Sequence, residues 1–517
     1  MIASSRVTRF VLLCVTLCVM NPVAAQETMD ETTLQGRIIA AEGKPPASYV
    51  ETRRITMSNG REFATRTFHR GLDWSTDGSG RFGGRVWDQD ANGLTTIHES
   101  PSGLERPDAR KVSITRVSQP LDAWKYEVLN AGGTGTIEYV DAKTYRVVRE
   151  DKITHNGTVE TDNDDFRTLD GFTFSAHAQI DDQISGVLTQ SRLISLEMRA
   201  VTDAELAIPP SRKFVTFPAE QMQVDLPAEF IDSKDTQMSY FGVRQQGQDP
   251  GIVAVILRAD IGGRLVDLAL DSGAGSIVLD RSVVRDLGLK TYGQQSVISA
   301  GRYTTASAVV PRLHVGSLEM RDVVVTSLPF TYDANRETKV VGLLGYDFIR
   351  SVGLTIDYAR RKVTAMSPGN ITPPVMTPNS DILPIRLGDH VPMVAARING
   401  SIAERMIVDT GFSGDMALFD YFSRRYPEAV APRVAARVDS PWLLVGVGGS
   451  IPTKRYRLAR VDLGRYHFAQ FDASQVADPK IYEYAADGLI GTAILRHYTV
   501  TFDYAGGKMY LVHNEGQ

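Results

Sequence analysis

Short apolar runs that alternate with polar positions dominate the chain, and they predict strands. Up to residue 215 these runs are punctuated by turn dipeptides at Asn59-Gly60, Asp77-Gly78, Asn92-Gly93 and Asp170-Gly171. Period-two alternation bounded by residues that tolerate left-handed backbone is the signature of antiparallel hairpins. Tyr139 to Glu150 reads as strand, turn, strand, and Asp165 to Phe172 as the corner of another hairpin. The pattern predicts an N-terminal antiparallel β domain over residues 26–215.

Further along, the runs become more uniformly apolar and their order repeats. Residues 252–258 and 264–270 flank Gly262-Gly263, and residues 393–398 and 402–408 flank Asn399-Gly400. Asn-Gly between apolar runs is a strong hairpin signal. Each second strand ends in an acid: Asp271-Ser272-Gly273-Ala274 in the first case, Asp409-Thr410-Gly411-Phe412 in the second. Short amphipathic stretches follow near 281–289 and 416–425. Gly342-Leu343-Leu344-Gly345 then corresponds to Gly488-Leu489-Ile490-Gly491, and Thr355-Ile356-Asp357-Tyr358 to Thr501-Phe502-Asp503-Tyr504. Four elements in one order at a near-constant spacing indicate a duplication. The expected units are residues 238–367 and 381–517. Pro368, Pro373, Pro374 and Pro378 mark a linker over 368–380, because proline neither donates to a ladder nor continues a helix.

Composition narrows the functional classes. The chain has 517 residues, 43% of them hydrophobic and 23% charged, the balance of a folded protein. The formal net charge of −5 gives no basic surplus, so no nucleic-acid partner is expected. Residues 1–25 read as a signal peptide: Arg6 and Arg9 precede the apolar stretch Phe10 to Met20, and Val23-Ala24-Ala25 offers small residues before a cut at Gln26. The expectation is export to the periplasm, with no membrane span in the mature chain. Cys14 and Cys18 both fall inside that segment, which leaves no thiol for disulfides, nucleophiles or metal ligands. The histidines show no metal spacing, and neither a phosphate loop nor a Gly-x-Ser-x-Gly elbow is present, so no metal or organic cofactor is expected.

The paired Asp-Ser/Thr-Gly turns, each with its later apolar glycine segment, resemble the retropepsin-like aspartic proteases, specifically the bacterial aspartyl protease family with two such units in one chain. The resemblance covers roughly residues 250–515. It implies a mainly β fold with two retropepsin-like β-barrel lobes forming a pepsin-like pseudo-dimer. It implies an endopeptidase with Asp271 and Asp409 as the catalytic dyad, acting on a peptide or protein substrate. Two carboxylates held together cannot both ionise, so they share a proton: one activates water and the other protonates the scissile carbonyl. One unit supplies one Asp, and the duplication supplies two; the short linker points to pairing within one chain. By the same resemblance Ser272, Gly273, Thr410 and Gly411 hold the two active-site loops together, and Gly446, Gly448 and Gly449 form a flap tip, with the region near Ala300-Gly301-Arg302 as its counterpart. Phe412 stands where the family usually has a small residue, close enough to crowd the dyad or to fill a substrate pocket.

The N-terminal region loosely resembles periplasmic lipoprotein-carrier-like domains, which implies a curved sheet able to bind an apolar ligand. Trp74, Trp87 and Trp124 would then line a groove or simply pack a core. The alternative to an enzyme is a silent peptide- or lipid-binding envelope protein built on the same lobes.

Overall fold

The computed structural model describes residues 29–514, apart from residues 59, 99–110, 120, 130–134, 155–156, 184–186, 233–251, 299–301, 331–339, 373–377, 389, 431–441, 447–448 and 477–485. The expected signal peptide lies outside the described residues. The chain is mainly β and divides into two compact units: residues up to Asp90 together with 95–211, and residues 91–94 together with 212–517.

The first unit is built on one 13-stranded sheet in which all pairings are antiparallel. Its middle is the pairing of Ser48–Met57 with Val187–Glu197, and from there the chain meanders outward on both sides. The two-residue turn Asp170-Gly171 joins Gly157–Leu169 to Phe172–Asp182, with both residues at positive φ (51° and 78°). That backbone matches the right-handed twist of the flanking strands. Asp77-Gly78 joins Asp73–Thr76 to Ser79–Phe82 in the same two-residue manner.

A three-turn helix departs from the all-strand expectation. Glu31–Glu42 is an α-helix, capped by the Asp30 carboxylate, which accepts from the Thr33 amide at 2.7 Å. It buries only Leu34 and Ile38 in a core with Trp124, Tyr126, Val140 and Val147, and that single i, i+4 pair is too sparse to reveal the helix by periodicity. Asn92 serves the expected turn with Gly93 (φ 77°), joining Arg85–Gln89 to Thr95–His98, and it groups with the second unit. Its side-chain amide donates to the Val324 carbonyl at 3.0 Å, and its oxygen accepts from the Val324 amide at 2.7 Å. Among the tryptophans, Trp124 and Trp87 are buried, and the Trp87 indole sits against Gly80, where any side chain would collide with it.

The second unit contains three sheets around a main apolar core that runs from Leu94 to Leu511 in sequence, with a smaller cluster about Ile256, Phe330 and Leu343. Two of the sheets share a pairing scheme. In one, Arg264–Leu270 runs parallel to Val340–Leu344, which pairs antiparallel with Val278–Asp280, which runs parallel to Leu318–Leu328. In the other, Ser401–Val408, Gly488–Ile490, Met416–Phe419 and Tyr466–Val476 repeat those relations in the same order. The third sheet has six strands drawn from both halves, and at its centre Gly353–Asp357 pairs with Tyr498–Asp503. Among the described residues, no helix is long and apolar enough to cross a membrane.

Candidate active site

Each acid is delivered by a buried strand. Ile252–Ile261 turns at Gly262-Gly263 into Arg264–Leu270, whose last five residues are all buried. Val391–Ile398 turns at Asn399-Gly400, with φ of 46° and 92°, into Ser401–Val408, whose last three residues are buried. The parallel neighbour extends each ladder one step further. The Asp271 amide donates to the Leu344 carbonyl at 3.1 Å, and the Asp409 amide donates to the Ile490 carbonyl at 2.9 Å. The repeated Gly-Leu-Leu/Ile-Gly segments therefore pin the strand ends from which the two acids project.

The two turns lock together reciprocally. The Ser272 amide donates to the Thr410 hydroxyl at 2.9 Å, and the Thr410 amide donates to the Ser272 hydroxyl at 3.0 Å. Each hydroxyl in turn donates across to the opposite strand: Ser272 to the Val408 carbonyl at 2.7 Å, Thr410 to the Leu270 carbonyl at 3.0 Å. All four bonds are buried, and each is worth about 0.5–1.5 kcal/mol net. Thr492 extends the network by donating to the Thr410 carbonyl at 3.0 Å.

Gly273 and Gly411 are required by contact. A Cβ on Gly273 would stand 2.5 Å from the Asp409 carboxyl carbon, and one on Gly411 would stand 2.6 Å from that of Asp271. Each glycine backbone is thus the wall against which the opposite carboxylate rests. Any side chain there would push the acids apart.

The carboxyl groups of Asp271 and Asp409 are close enough that each bears on the protonation of the other. Asp271 is 8% exposed and Asp409 is half-buried. Burial, reinforced by the neighbouring Asp409 charge, holds Asp271 well above the usual carboxylate range. Burial also raises Asp409, against the pull of its donors. Its Oδ1 accepts from the amides of Gly411 at 2.8 Å and Phe412 at 3.1 Å. Asp271 Oδ1 accepts from the Gly273 amide at 2.8 Å. The pair titrates as a unit, with one proton retained between two acids well into the range where an isolated carboxyl has lost its own.

The ring of Phe412 is buried and lies against Gly414 and Gly491; a Cβ on Gly414 would stand 2.4 Å from its Cζ. Glycines at those two positions make the space that the bulky ring occupies. In the corresponding place Ala274 meets Gly345, 2.9 Å from where its Cβ would be. The flap expectation falls on the hairpin Trp442–Gly446 and Gly449–Leu463, in which Gly446 pairs with Gly449; Gly448 lies outside the described residues. Its counterpart joins Thr291–Ile298 to Arg302–Val315, with Ile298 opposite Arg302 and residues 299–301 outside the described residues.

Tyr504 belongs to no expected site motif. Its hydroxyl is buried with no partner among the described residues, and its ring lies 6.3 Å from that of Tyr346. Burial first, then Tyr346 and the charges of Asp271 and Asp409, push its hydroxyl well above the ordinary tyrosine range. The available signal was its position at the end of a duplicated element, opposite Tyr358 in the repeat.

Residues 257–348 match a protein-family model described as aspartyl protease. That span includes Asp271 and the first glycine segment and stops short of Asp409. No curated protein matches the chain. Among solved structures, a LolA superfamily protein from Nitrosomonas europaea aligns at 10% identity over 35% of this chain and 98% of its own, with a TM-score of 0.26. A DUF1329 family protein from Desulfovibrio piger aligns at 12% identity over 34% and 94%, with a TM-score of 0.26. Conglutin gamma from lupine seeds aligns at 10% identity over 57% and 95%, with a TM-score of 0.33. Likenesses this slight carry no argument about fold or function.

Proposed function

We propose that the protein is an exported aspartic endopeptidase whose two duplicated halves act as tandem retropepsin-like lobes within one chain. The observation that carries this reading is the reciprocal Ser272–Thr410 lock around Asp271 and Asp409, whose carboxyls are both held above the usual range. The match of residues 257–348 to the aspartyl protease model supports the same chemistry.

In the proposed mechanism a water held between the carboxyl groups gives a proton to the ionised member and attacks the scissile carbonyl carbon. The protonated member gives its proton to the carbonyl oxygen, and a neutral tetrahedral diol forms. Collapse of the diol returns a proton from one hydroxyl to a carboxylate, while the departing nitrogen takes the other shared proton and leaves as amine. The amide donors on Asp409 favour its ionised form, and the deeper burial of Asp271 favours its protonated form, so the asymmetry suits Asp409 as base and Asp271 as acid. The glycine hairpin at Gly446 to Gly449 and its counterpart at residues 298–302 serve as flaps in this reading, and the linker at 368–380 joins the lobes.

The test is a peptide-library digest with the wild type, Asp271→Asn and Asp409→Asn. Each variant should lose at least about a hundredfold in turnover while remaining folded, because each removes the acid or the base. A peptidomimetic with a hydroxyl at the scissile position should compete, since it mimics the tetrahedral diol. Near-wild-type turnover by either variant sinks the dyad.

A further inference from the structure

Two strands of the six-stranded sheet lead into tyrosines at related positions, and the two tyrosines meet different neighbours. Tyr358 follows Gly353–Asp357, and Tyr504 follows Tyr498–Asp503. They are 1% and 4% exposed, and neither hydroxyl has a partner in bonding geometry among the described residues. Burying a hydroxyl that way is costly, and two cases at duplicated positions call for a reason.

Each tyrosine faces a residue of the opposite half. Gly345 and Gly491 are followed by the first residues of two short helices, Tyr346 in Tyr346–Arg350 and Thr492 in Thr492–Leu495. The Tyr346 amide donates to the Ala274 carbonyl at 2.9 Å, and the Thr492 amide donates to the Phe412 carbonyl at 2.7 Å, so both residues are fastened to an acid-bearing turn. Tyr358 faces the Thr492 hydroxyl, whose hydrogen is already given to the Thr410 carbonyl at 3.0 Å. Tyr504 faces Tyr346, with the rings 6.3 Å apart, and Phe502 stands edge-on to it at 6.0 Å. His390 stacks on Tyr346 at 4.5 Å. The charges that act on the Tyr504 hydroxyl are those of Asp271 and Asp409.

That difference has a chemical consequence. A hydroxyl hydrogen rotates to suit the field around it. With no acceptor holding it among the described residues and two carboxyl groups acting on it, the Tyr504 O–H turns its hydrogen toward the negative charge. In a buried site a dipole aimed at a charge counts for more than it would in water. The acid-bearing turns provide no such side chain at Ala274 or Phe412, which carry no hydroxyl.

We infer that Tyr504 is a positioning residue for the Asp271–Asp409 pair, its hydroxyl supplying the side-chain dipole that favours the ionised member, a part that Tyr358 does not play. The purpose of the residue rests on the proposed aspartic chemistry, but the dipole is measurable without turnover.

The test uses the full mature chain labelled isotopically at the aspartate carboxyl carbons. The Asp271 and Asp409 signals, assigned by their loss in Asp271→Asn and Asp409→Asn, are followed by nuclear magnetic resonance as pH is raised. Tyr504→Phe keeps the ring and deletes the dipole, so the pair should hold its proton to higher pH by about half a unit or more, at least about a threefold gain in proton affinity. Tyr358→Phe deletes an equally buried hydroxyl and should leave the titration in place. A fluorinated tyrosine at position 504 keeps the hydroxyl and strengthens its dipole, and should move the titration to lower pH. An unmoved or lowered titration in Tyr504→Phe overturns the inference, and so does an equal rise in Tyr358→Phe. In an active enzyme the upper limb of the pH–rate profile should rise with the titration in Tyr504→Phe; a limb that stays in place overturns the positioning role. A wild type that cuts no peptide at any pH defeats the protease reading, and the carboxyl titration then decides the part played by Tyr504.

Discussion

The ring of Phe412 fills the space that a side chain on Gly414 would need, with Cζ only 2.4 Å from the missing Cβ. The bulky residue that stands beside the dyad in sequence is thus turned into a socket made by glycine. Gly414→Ala should therefore destabilise the protein by about 1–3 kcal/mol, the usual cost of overpacking. Adding Phe412→Ala should recover part of that loss, giving a coupling of about 1 kcal/mol between two residues in contact. Denaturant unfolding of the wild type, both single variants and the double variant measures it. Strictly additive losses would refute the socket.

The Ser272–Thr410 lock predicts unequal effects of conservative and non-conservative changes. Thr410→Ser keeps the hydroxyl that accepts from Ser272 and donates to Leu270, and should stay close to the wild type. Thr410→Val keeps the shape but strands both buried partners, at about 1–3 kcal/mol for each. If the proposed activity holds, peptide turnover should fall with it, because the same bonds set the spacing of the carboxyl groups. Thermal melting and turnover on the same samples check both statements, and a Thr410→Val protein as stable as Thr410→Ser contradicts them.

A carboxyl that holds its proton to higher pH has a consequence for stability that runs opposite to that of a salt-bridged carboxylate. In the unfolded chain Asp271 ionises near pH 3.9, while in the fold burial and Asp409 keep it protonated to higher pH. Below the unfolded value both states are protonated and the group is neutral to stability. As pH rises from there toward the raised folded value, the unfolded state gains by ionising and the fold loses ground. Asp271→Asn removes that penalty, so its melting temperature should exceed that of the wild type at neutral pH, and the excess should shrink as pH falls below about 4. An Asn variant less stable than the wild type at pH 7 and equal to it at pH 3 reverses the sign.

Activity should carry the same signature. Neither Ala274 nor Phe412 has a hydroxyl, so no side-chain donor from these positions favours the ionised pair. Under the proposed mechanism the shared proton persists toward neutral pH, and the upper limb of the pH–rate profile should lie above the strongly acidic range. Phe412→Ser adds a donor next to Asp409 and should move that limb to lower pH. A limb that moves upward, or a wild type active only in strong acid, rejects the argument.

Mixing Asp271→Asn with Asp409→Asn distinguishes pairing within a chain from pairing between chains. The lock joins residues 138 positions apart in one chain, so every site in the mixture should keep one amide, and no activity should return. Substantial recovery on mixing would show that the halves exchange between molecules.

Local signals were legible wherever backbone chemistry alone decides the outcome. Asn399-Gly400 and Asp170-Gly171 are turns because few other pairs accept positive φ at both positions. The duplicated glycine segments were legible as a repeat, and the structure adds their use: they extend the ladders that end at the acids. What escaped notice depended on partners distant in sequence. Asn92-Gly93 is the hairpin turn it looks like, but nothing local announces the bonds of Asn92 to Val324. The helix at Glu31–Glu42 is held by Leu34 and Ile38 against strands about a hundred residues away, which periodicity does not reveal. Phe412 looked like an obstruction because nothing local announces that Gly414 and Gly491 converge beneath it.

The six-stranded sheet shared by both halves bears on how a large substrate reaches the carboxyl groups. Thr355 and Thr501 face each other across its central pair, their hydroxyls 2.8 Å apart, and the ladder runs from Leu354 opposite Phe502 to Asp357 opposite Thr499. The two halves are therefore stitched at the back by continuous backbone bonding, and they are clasped again at the front by Ser272 and Thr410. Scissoring about a hinge would have to tear one seam or the other. Under the proposed function, a polypeptide too thick for the closed form would then have to be admitted by bending of the outer hairpins rather than by a swing of rigid bodies.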